Sequence, residues 1–233
     1  MNRNEQTGPG RVLITGGASG LGSAVAQAVE DAGGTAIVFD RDTSPADRPQ
    51  YRVDVSDSRG VEQAVAEVLD EFGGLDAVVT AAGIDRPGRL DEVAADDWER
   101  IVRVNLLGTV SVTRAALPAL TRSHGRVVTV ASSLGLKAVP EATAYCASKF
   151  GVIGFSRALA AELRGTVGVT TIIPAGMKTH FFDGRSEQYK PQDDSRLNDP
   201  GNVAAAILFA LSQPAGCEVR ELVICHELEE SWP

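Results

Sequence analysis

Residues 15–22 read TGGASGLG and lie between a short apolar run, residues 11–15, and a stretch with helical periodicity. A glycine-rich turn from a strand into a helix is the arrangement that binds a pyrophosphate, because Gly16 permits a tight turn and Gly20 removes the Cβ that would keep phosphates away. Gly22 would let the helix pack closely on the sheet, and the helix N-terminus would offer N–H groups to the phosphates. The stretch therefore predicts a dinucleotide-binding turn, although a plain strand-to-helix turn also uses glycine.

The rest of the chain alternates short β-branched runs with longer helical stretches, which is typical of parallel strands joined by crossover helices. Strands are predicted at residues 11–15, 35–40, 50–54, 77–81, 126–131, 167–173 and 219–225. Helices are predicted at residues 21–32, 58–72, 96–120, 143–164 and 200–212. We expect one doubly wound α/β domain over residues 11–233, a three-layer sandwich around a seven-stranded parallel sheet, after a flexible segment at residues 1–10.

The composition narrows the range of partners. The net charge is -9, with 31 acidic against 22 basic residues, and this field repels nucleic acids and anionic membranes. The three histidines are isolated from one another, so no metal site is predicted. Three cysteines without a C-x-x-C spacing, and a polar stretch at residues 1–10 with no apolar run behind it, favour a protein of the cytoplasm.

An acidic residue ends the second predicted strand and bears on the choice of cofactor. Asp40 lies twenty residues after Gly20, where its carboxylate would accept hydrogen bonds from the adenosine ribose. It also repels a 2′-phosphate, and Ser19 offers no compensating positive charge, so NAD is favoured over NADP. Arg41 is adjacent and softens that repulsion, which leaves NADP as the weaker alternative. Asp54, after the third strand, would accept from the adenine amino group or, alternatively, cap the next helix.

A tyrosine and a lysine point to acid–base chemistry. Tyr145 and Lys149 are four residues apart in a predicted helix, so they share one face, one turn apart. A nearby ammonium favours the phenolate, which would make Tyr145 a usable acid and base. Ser132 ends a predicted central strand, at the edge where open α/β sheets bind ligands, and would donate to a substrate oxygen. Ser133 is the alternative, and two serines also suit a simple turn.

In this order the motifs resemble those of the short-chain dehydrogenase/reductases in their single-domain form, over nearly the whole chain. The resemblance is carried by T-G-x-x-x-G-x-G at residues 15–22, Asp54-Val55, Ala81-Ala82-Gly83, Trp98 seven residues before Asn105, Ser132 thirteen before Tyr145, and Tyr145-x-x-x-Lys149. It implies a Rossmann-type fold, binding of a nicotinamide dinucleotide and a catalytic tetrad of Ser132, Tyr145, Lys149 and Asn105. In that tetrad Lys149 would also bind the nicotinamide ribose, and Asn105 would hold a water that relays protons through Lys149.

The resemblance and the residue patterns together define an expected cofactor site. Its members are Gly16, Ser19, Gly20, Leu21, Gly22, Asp40, Arg41, Asp54, Val55, Ala81, Ala82, Gly83, Tyr145, Lys149, Pro174, Gly176 and Thr179. Two turns depart from the family's usual pattern. Thr80 stands where an asparagine is common, and the usual Pro-Gly appears as Pro174-Ala175-Gly176.

These observations predict an oxidoreductase that moves a hydride between a nicotinamide cofactor and a small alcohol or ketone. Residues 134–142 and the loop 177–200 are expected to line a mostly apolar substrate pocket, which favours a neutral or hydrophobic carbonyl. The loop carries Phe181, Phe182 and Tyr189 among charges, so we expect a mobile lid that orders when ligands bind. A homodimer or homotetramer is also expected from the resemblance.

Two other functions fit the same fold. A dinucleotide-sensing regulator would keep the glycine turn without catalysis, but the intact Tyr145 and Lys149 argue against it. A sugar-nucleotide epimerase or dehydratase normally needs a larger C-terminal substrate domain than the about sixty residues that follow Ile173.

Overall fold

Parallel strands alternate with helices along the chain in the computed structural model, which describes residues 8–229. The strands are β1 Arg11–Thr15, β2 Thr35–Asp40, β3 Gln50–Arg52, β4 Ala77–Thr80, β5 Arg126–Val130, β6 Gly168–Pro174 and β7 Glu221–Ile224. The helices are α1 Gly20–Asp31, α2 Ser58–Phe72, α3 Ala95–Val102, α4 Thr109–Ser123, α5 Thr143–Glu162 and α6 Pro200–Leu211. Most of the segment expected to be flexible, residues 1–7, lies outside the described residues.

The seven strands form one parallel sheet in the order β3-β2-β1-β4-β5-β6-β7. The strand order reverses between β1 and β4, so the loops after these two strands leave the sheet in opposite directions and open a crevice at its carboxyl edge. The predicted doubly wound, seven-stranded fold is therefore confirmed.

Both faces of the sheet are covered, which explains why its strands are continuous apolar runs. Successive residues of a strand point to opposite faces, so Leu13 packs in the layer with α2 and α4 while Ile14 packs in the layer with α1 and α6. Phe39 joins the first layer and Ile172 the second, and all four side chains have no exposed surface. Two apolar layers on one sheet give the predicted three-layer sandwich.

The helix predicted at residues 96–120 is interrupted, which corrects the prediction of one regular helix. Between α3 and α4 the backbone forms a π-helical segment, Arg103–Gly108, in which each turn holds an additional residue. Asn105, one of the predicted catalytic residues, lies within it. Hydrophobic spacing does not reveal such a segment, because the apolar face continues through it.

The long loop after β6 has local structure of its own. Three short 3₁₀ turns, His180–Phe182, Glu187–Tyr189 and Asp194–Arg196, follow one another, and a bridge between Met177 and Asn198 closes the base of the loop. Elsewhere the predicted bounds of strands and helices differ from the observed ones by at most about two residues, as expected where helix and strand ends fray. Within residues 8–229, no helix combines the length and the apolar character needed to cross a membrane.

Candidate active site

A cleft of about 420 Å³ opens at the carboxyl edge of the sheet. It runs from Asp40 at the end of β2 to Lys149 on α5 and is bounded by the loop after β6. The predicted cofactor residues line this cleft except Tyr145, Pro174 and Gly176. Pro174 instead pairs with β7, and a Cβ on Gly176 would meet Leu197, so these two support the loop from behind.

The glycine turn at one end of the cleft fits a bound pyrophosphate. Gly16 has a φ of 71°, and a Cβ on Gly22 would lie 2.1 Å from the Gly16 carbonyl oxygen, so both positions require glycine. A Cβ on Gly20 would meet only the Thr179 side chain, at 3.5 Å, so the turn faces open space in the cleft. The Ser19 side chain makes no capping hydrogen bond to α1, which leaves N–H groups of the first turn available to an anion.

Asp40 has a structural role that the sequence did not indicate. Its Oδ2 accepts from the Ala18 N–H at 3.0 Å and its Oδ1 from the Asp42 N–H at 3.2 Å, so the carboxylate fixes the glycine turn as well as facing the cleft. A carboxylate has lone pairs for further donors, such as ribose hydroxyls.

Asp54 also faces the cleft and does not cap the following helix. Its Oδ1 accepts from the Ser56 N–H at 2.9 Å and the Ser56 hydroxyl at 2.6 Å, whereas α2 is capped by Asp57, which accepts from the Arg59 N–H. The capping alternative for Asp54 is therefore wrong. Its position in the cleft is compatible with the adenine contact that was the other possibility.

Three of the predicted catalytic side chains meet at the other end of the cleft. Lys149 is 4% exposed, its Nζ donates to the Val130 carbonyl at 2.9 Å, and it lies 5.6 Å from the centre of the Tyr145 ring. The Ser132 hydroxyl hydrogen bonds with Tyr145 and also accepts from the Leu134 N–H at 3.1 Å. This hydrogen bond with the tyrosine supports Ser132 over the alternative, Ser133.

Asn105 joins two parts of the site with its amide. Its Oδ1 accepts from the Ile84 N–H at 2.8 Å, and its Nδ2 donates to the Ile84 carbonyl at 2.9 Å and the Ser148 hydroxyl at 3.1 Å. The side chain therefore ties the segment after β4 to the helix that carries Tyr145 and Lys149. Sequence reasoning missed Ile84 and Ser148, although both are adjacent to predicted site residues.

The pKa values in the site correct one expectation. Burial raises the pKa of Tyr145 above its ordinary value of 10, and the hydrogen bond with Ser132 opposes this only in part. Burial also lowers the pKa of Lys149 from 10.5 to about 8, against the opposing charge of Asp85. The expected lowering of the phenol pKa by a nearby ammonium is not seen, because the same burial that disfavours the phenolate also disfavours the ammonium. A phenol that keeps its proton suits donation to a developing oxyanion.

An ion pair lies at this end of the cleft and was not predicted. Arg185 Nη2 is 3.0 Å from Asp85 Oδ2, and Asp85 lines the cleft together with Phe181 and His180 of the loop after β6. Among the described residues, the segment 134–142 does not contribute to the lining. The loop after β6 contributes to the lining as expected, and the ion pair adds charge beside a pocket that was expected to be mostly apolar. Asp85 lies two residues after Gly83 of the predicted Ala81-Ala82-Gly83 turn, and this proximity was the available signal.

Comparison with known proteins identifies the family. Residues 10–190 match the family model described as short chain dehydrogenase. The chain is 32% identical to an L-fucose dehydrogenase of Mus musculus, over 91% of this chain and 86% of the relative, and 34% identical to a D-threitol dehydrogenase of Mycolicibacterium smegmatis, over 87% and 86%. Its fold is similar to that of an alcohol dehydrogenase from the archaeon Thermococcus sibiricus complexed with 5-hydroxy-NADP, with a TM-score of 0.85 at 24% identity, covering 94% of this chain and 97% of that one. The chain thus belongs to the short-chain dehydrogenase/reductase family of oxidoreductases.

Proposed function

We propose that the protein is an NAD-dependent dehydrogenase or ketoreductase of small alcohols and ketones, with Tyr145 as the general acid and base. The observation that carries the proposal is the meeting of Tyr145, Ser132 and Lys149 at one end of a cleft whose other end holds Asp40 and the glycine turn. The nicotinamide, when bound, supplies or accepts the hydride.

Each side chain of the predicted tetrad would have its own role in the reaction. Ser132 would orient the substrate oxygen, and Tyr145 would hold the proton that this oxygen receives on reduction and returns on oxidation. Lys149 is anchored on the Val130 carbonyl and would hold the nicotinamide ribose. With a pKa of about 8, its amine exchanges protons close to neutral pH. Asn105 would position Lys149 and Tyr145 through Ile84 and Ser148.

The preference for NAD rests on Asp40. Its carboxylate lines the cleft at the end of β2, where it would accept from ribose hydroxyls and repel a 2′-phosphate. Arg41 lines the cleft beside Asp40, and its positive charge softens the repulsion of a 2′-phosphate. The test therefore measures the kinetics with both cofactors.

The names of the two curated relatives guide the choice of substrates. Fucose and threitol are rich in hydroxyl groups, so sugars and polyols belong in the test beside simple alcohols and ketones. Neutral and hydrophobic carbonyls, which the sequence favours, stay in the test beside them.

The test is a screen of alcohols, polyols, aldoses and ketones, each with NAD(H) and NADP(H), followed by the absorbance of the reduced nicotinamide. We expect turnover with at least one hydroxyl-bearing substrate and a higher kcat/KM for NAD than for NADP. Tight cofactor binding without turnover on any substrate would instead support the dinucleotide-sensing regulator.

We also propose self-association in the cytoplasm. Leu107 and Phe150 are large apolar side chains exposed on neighbouring helical segments, and all three cysteines are free thiols. Light scattering after size-exclusion chromatography distinguishes a dimer or tetramer from a monomer.

A further inference from the structure

The ion pair between Asp85 and Arg185 is buried beside the cleft. The two side chains are 6% and 12% exposed, and 3.0 Å separates Asp85 Oδ2 from Arg185 Nη2. Asp85 follows the turn after β4 and lines the cleft, whereas Arg185 belongs to the loop after β6. Removing two charges from water costs several kcal/mol per ion, and an apolar pair of similar size often stabilises a fold equally well. Stability alone therefore does not account for this pair.

Aromatic rings connect the pair to the catalytic tyrosine. The Phe181 ring centre lies 5.7 Å from that of Tyr145, and the Arg185 guanidinium lies 4.8 Å from the ring centres of both Phe181 and Phe182. Besides burial and the hydrogen bond with Ser132, the charges of Asp85 and Arg185 shift the pKa of Tyr145 in opposite directions. Both charges are thus within electrostatic reach of the phenol.

The pair retains unused hydrogen-bonding capacity. Arg185 Nε and Nη2 are shielded from solvent and have no partner of hydrogen-bond geometry among residues 8–229, although Nη2 is in ion-pair contact with Asp85. Asp85 Oδ1 accepts from the Arg86 N–H at 2.8 Å, and the carboxylate has lone pairs for a further donor. A hydroxyl group can satisfy both members, since it donates to a carboxylate and accepts from a guanidinium.

The charges also select among ligands. Because Asp85 and Arg185 compensate each other, a neutral ligand leaves the local charge balanced, whereas a carboxylate bound to Arg185 would lie next to the Asp85 carboxylate. A neutral, hydroxyl-bearing group is therefore the better match.

We propose that Asp85 and Arg185 form a specificity subsite that binds a second hydroxyl group of a neutral polyhydroxylated substrate, while Tyr145 and Ser132 hold its reacting hydroxyl or carbonyl. This inference rests on the proposed dehydrogenase function. It assigns the substrate preference to two residues outside the catalytic tetrad. A substrate that lacks the second hydroxyl leaves the buried donors without a partner and is discriminated against.

The test compares butane-2,3-diol with butan-2-ol, which share a carbon skeleton and a secondary alcohol. We expect the wild-type kcat/KM to favour the diol by about 100-fold. Asp85→Asn and Arg185→Met should each lower that ratio at least about tenfold, because the loss of activity on the diol exceeds any loss on butan-2-ol. Arg86→Gln, an exposed neighbour that pairs with Asp97, is the matched control and should leave the ratio unchanged.

A second readout does not depend on turnover. Calorimetric titration of the diol into the Tyr145→Phe protein with NAD present should give a Kd that Asp85→Asn and Arg185→Met raise about tenfold. Equal losses on both alcohols would make the pair a structural latch and overturn the subsite. A wild-type preference for butan-2-ol or for 3-hydroxybutanoate over the diol would also overturn the subsite. This preference is measured on the wild type alone. Absence of turnover on every alcohol contradicts the proposed dehydrogenase instead, and the calorimetry then decides the subsite by itself.

Discussion

The two ends of the cleft are built by different means. At the cofactor end the main chain sets the geometry, through the positive φ of Gly16 and the contact of Gly22 with the Gly16 carbonyl. At the substrate end, side chains from distant parts of the chain set it, as Asp85 and Arg185 show. A main-chain contact admits one residue type, whereas a side-chain contact admits a substitute of similar shape. Substitution should therefore damage the fold at the first end and alter the chemistry at the second.

The largest effect is expected at the substrate end, for Tyr145→Phe. The change removes the proton donor and keeps the ring that packs on Phe181, so kcat should fall about 1,000-fold. Cofactor affinity should stay within about twofold, because the change leaves the glycine turn, Asp40 and Lys149 in place along the cleft. Steady-state kinetics and fluorescence titration with NADH measure the two quantities. A variant that retains a large fraction of kcat would show that the proton comes from another group.

At the cofactor end, Gly22→Ala should destabilise the fold. The new Cβ would lie 2.1 Å from the Gly16 carbonyl, and the turn has no room to move, so we expect a loss of about 3 kcal/mol in the free energy of unfolding. Gly154→Ala on α5 is the control, because no atom lies within 4 Å of its new Cβ and alanine favours a helix by about 0.5–1 kcal/mol. Urea unfolding compares them. Equal stability of the two variants would contradict the argument.

Lys149 lies at the substrate end of the cleft, and its buried amine should make the free energy of unfolding depend on pH. The folded protein releases this proton near pH 8, whereas the unfolded chain keeps it to about 10.5, so the unfolded state binds more protons between these values. The free energy of unfolding of the wild type should therefore rise across that window relative to Lys149→Met, by about 3 kcal/mol. Urea unfolding at several pH values measures it, and parallel curves for the two proteins would refute the shift.

Asp40 tests whether the cofactor end discriminates through one carboxylate. In Asp40→Ala the Kd for NAD should rise about tenfold, because the ribose loses its acceptor and the glycine turn loses the bond to Ala18. The difference between the Kd values for NAD and NADP should narrow, since the repulsion of the 2′-phosphate disappears. Asp47→Ala, an exposed residue outside the cleft, gives the same change in net charge and serves as the control. A wild type that binds NADP more tightly than NAD would overturn the assignment.

The smallest effect is expected in the loop 177–200. We predict that it is a lid whose amides at residues 180–195 exchange hydrogen about tenfold more slowly in the ternary complex. The contacts of Phe181 with Tyr145 and of Arg185 with Asp85 are those that a closed lid would make. Helix α2, on the far side of the sheet, should show no change. Equally fast exchange with and without ligands would leave the loop a simple connector.

The difference between the two ends of the cleft also explains which features could be predicted from the sequence. The seven strands and most of the helices were predicted to within about two residues, because apolar spacing and glycine positions are local properties. The spacing of Tyr145 and Lys149 is also a local property, whereas Asn105 was taken from the family resemblance, and the catalytic roles of all four tetrad residues stay predictions. Asp85 and Arg185 are separated by a hundred residues and meet only in the fold, and neither lies in a recognisable motif. The pKa of Tyr145 was misjudged because it depends on burial, which the spacing of Tyr145 and Lys149 does not reveal.

The π-helical segment Arg103–Gly108 determines which changes of chain length between α3 and α4 the fold can absorb. A π-helical turn holds about one residue more than an α-helical turn, so a one-residue deletion inside the segment would restore regular helical hydrogen bonds and leave α3 and α4 in nearly the same relative orientation. A one-residue deletion between Trp98 and the segment would instead rotate Trp98 by about 100° relative to α4. Trp98 on α3, whose indole donates to the Thr143 hydroxyl at the start of α5, would then point elsewhere. An alignment that places a gap in α3 instead of in this segment would therefore misplace the Trp98 contact even if every neighbouring residue matched.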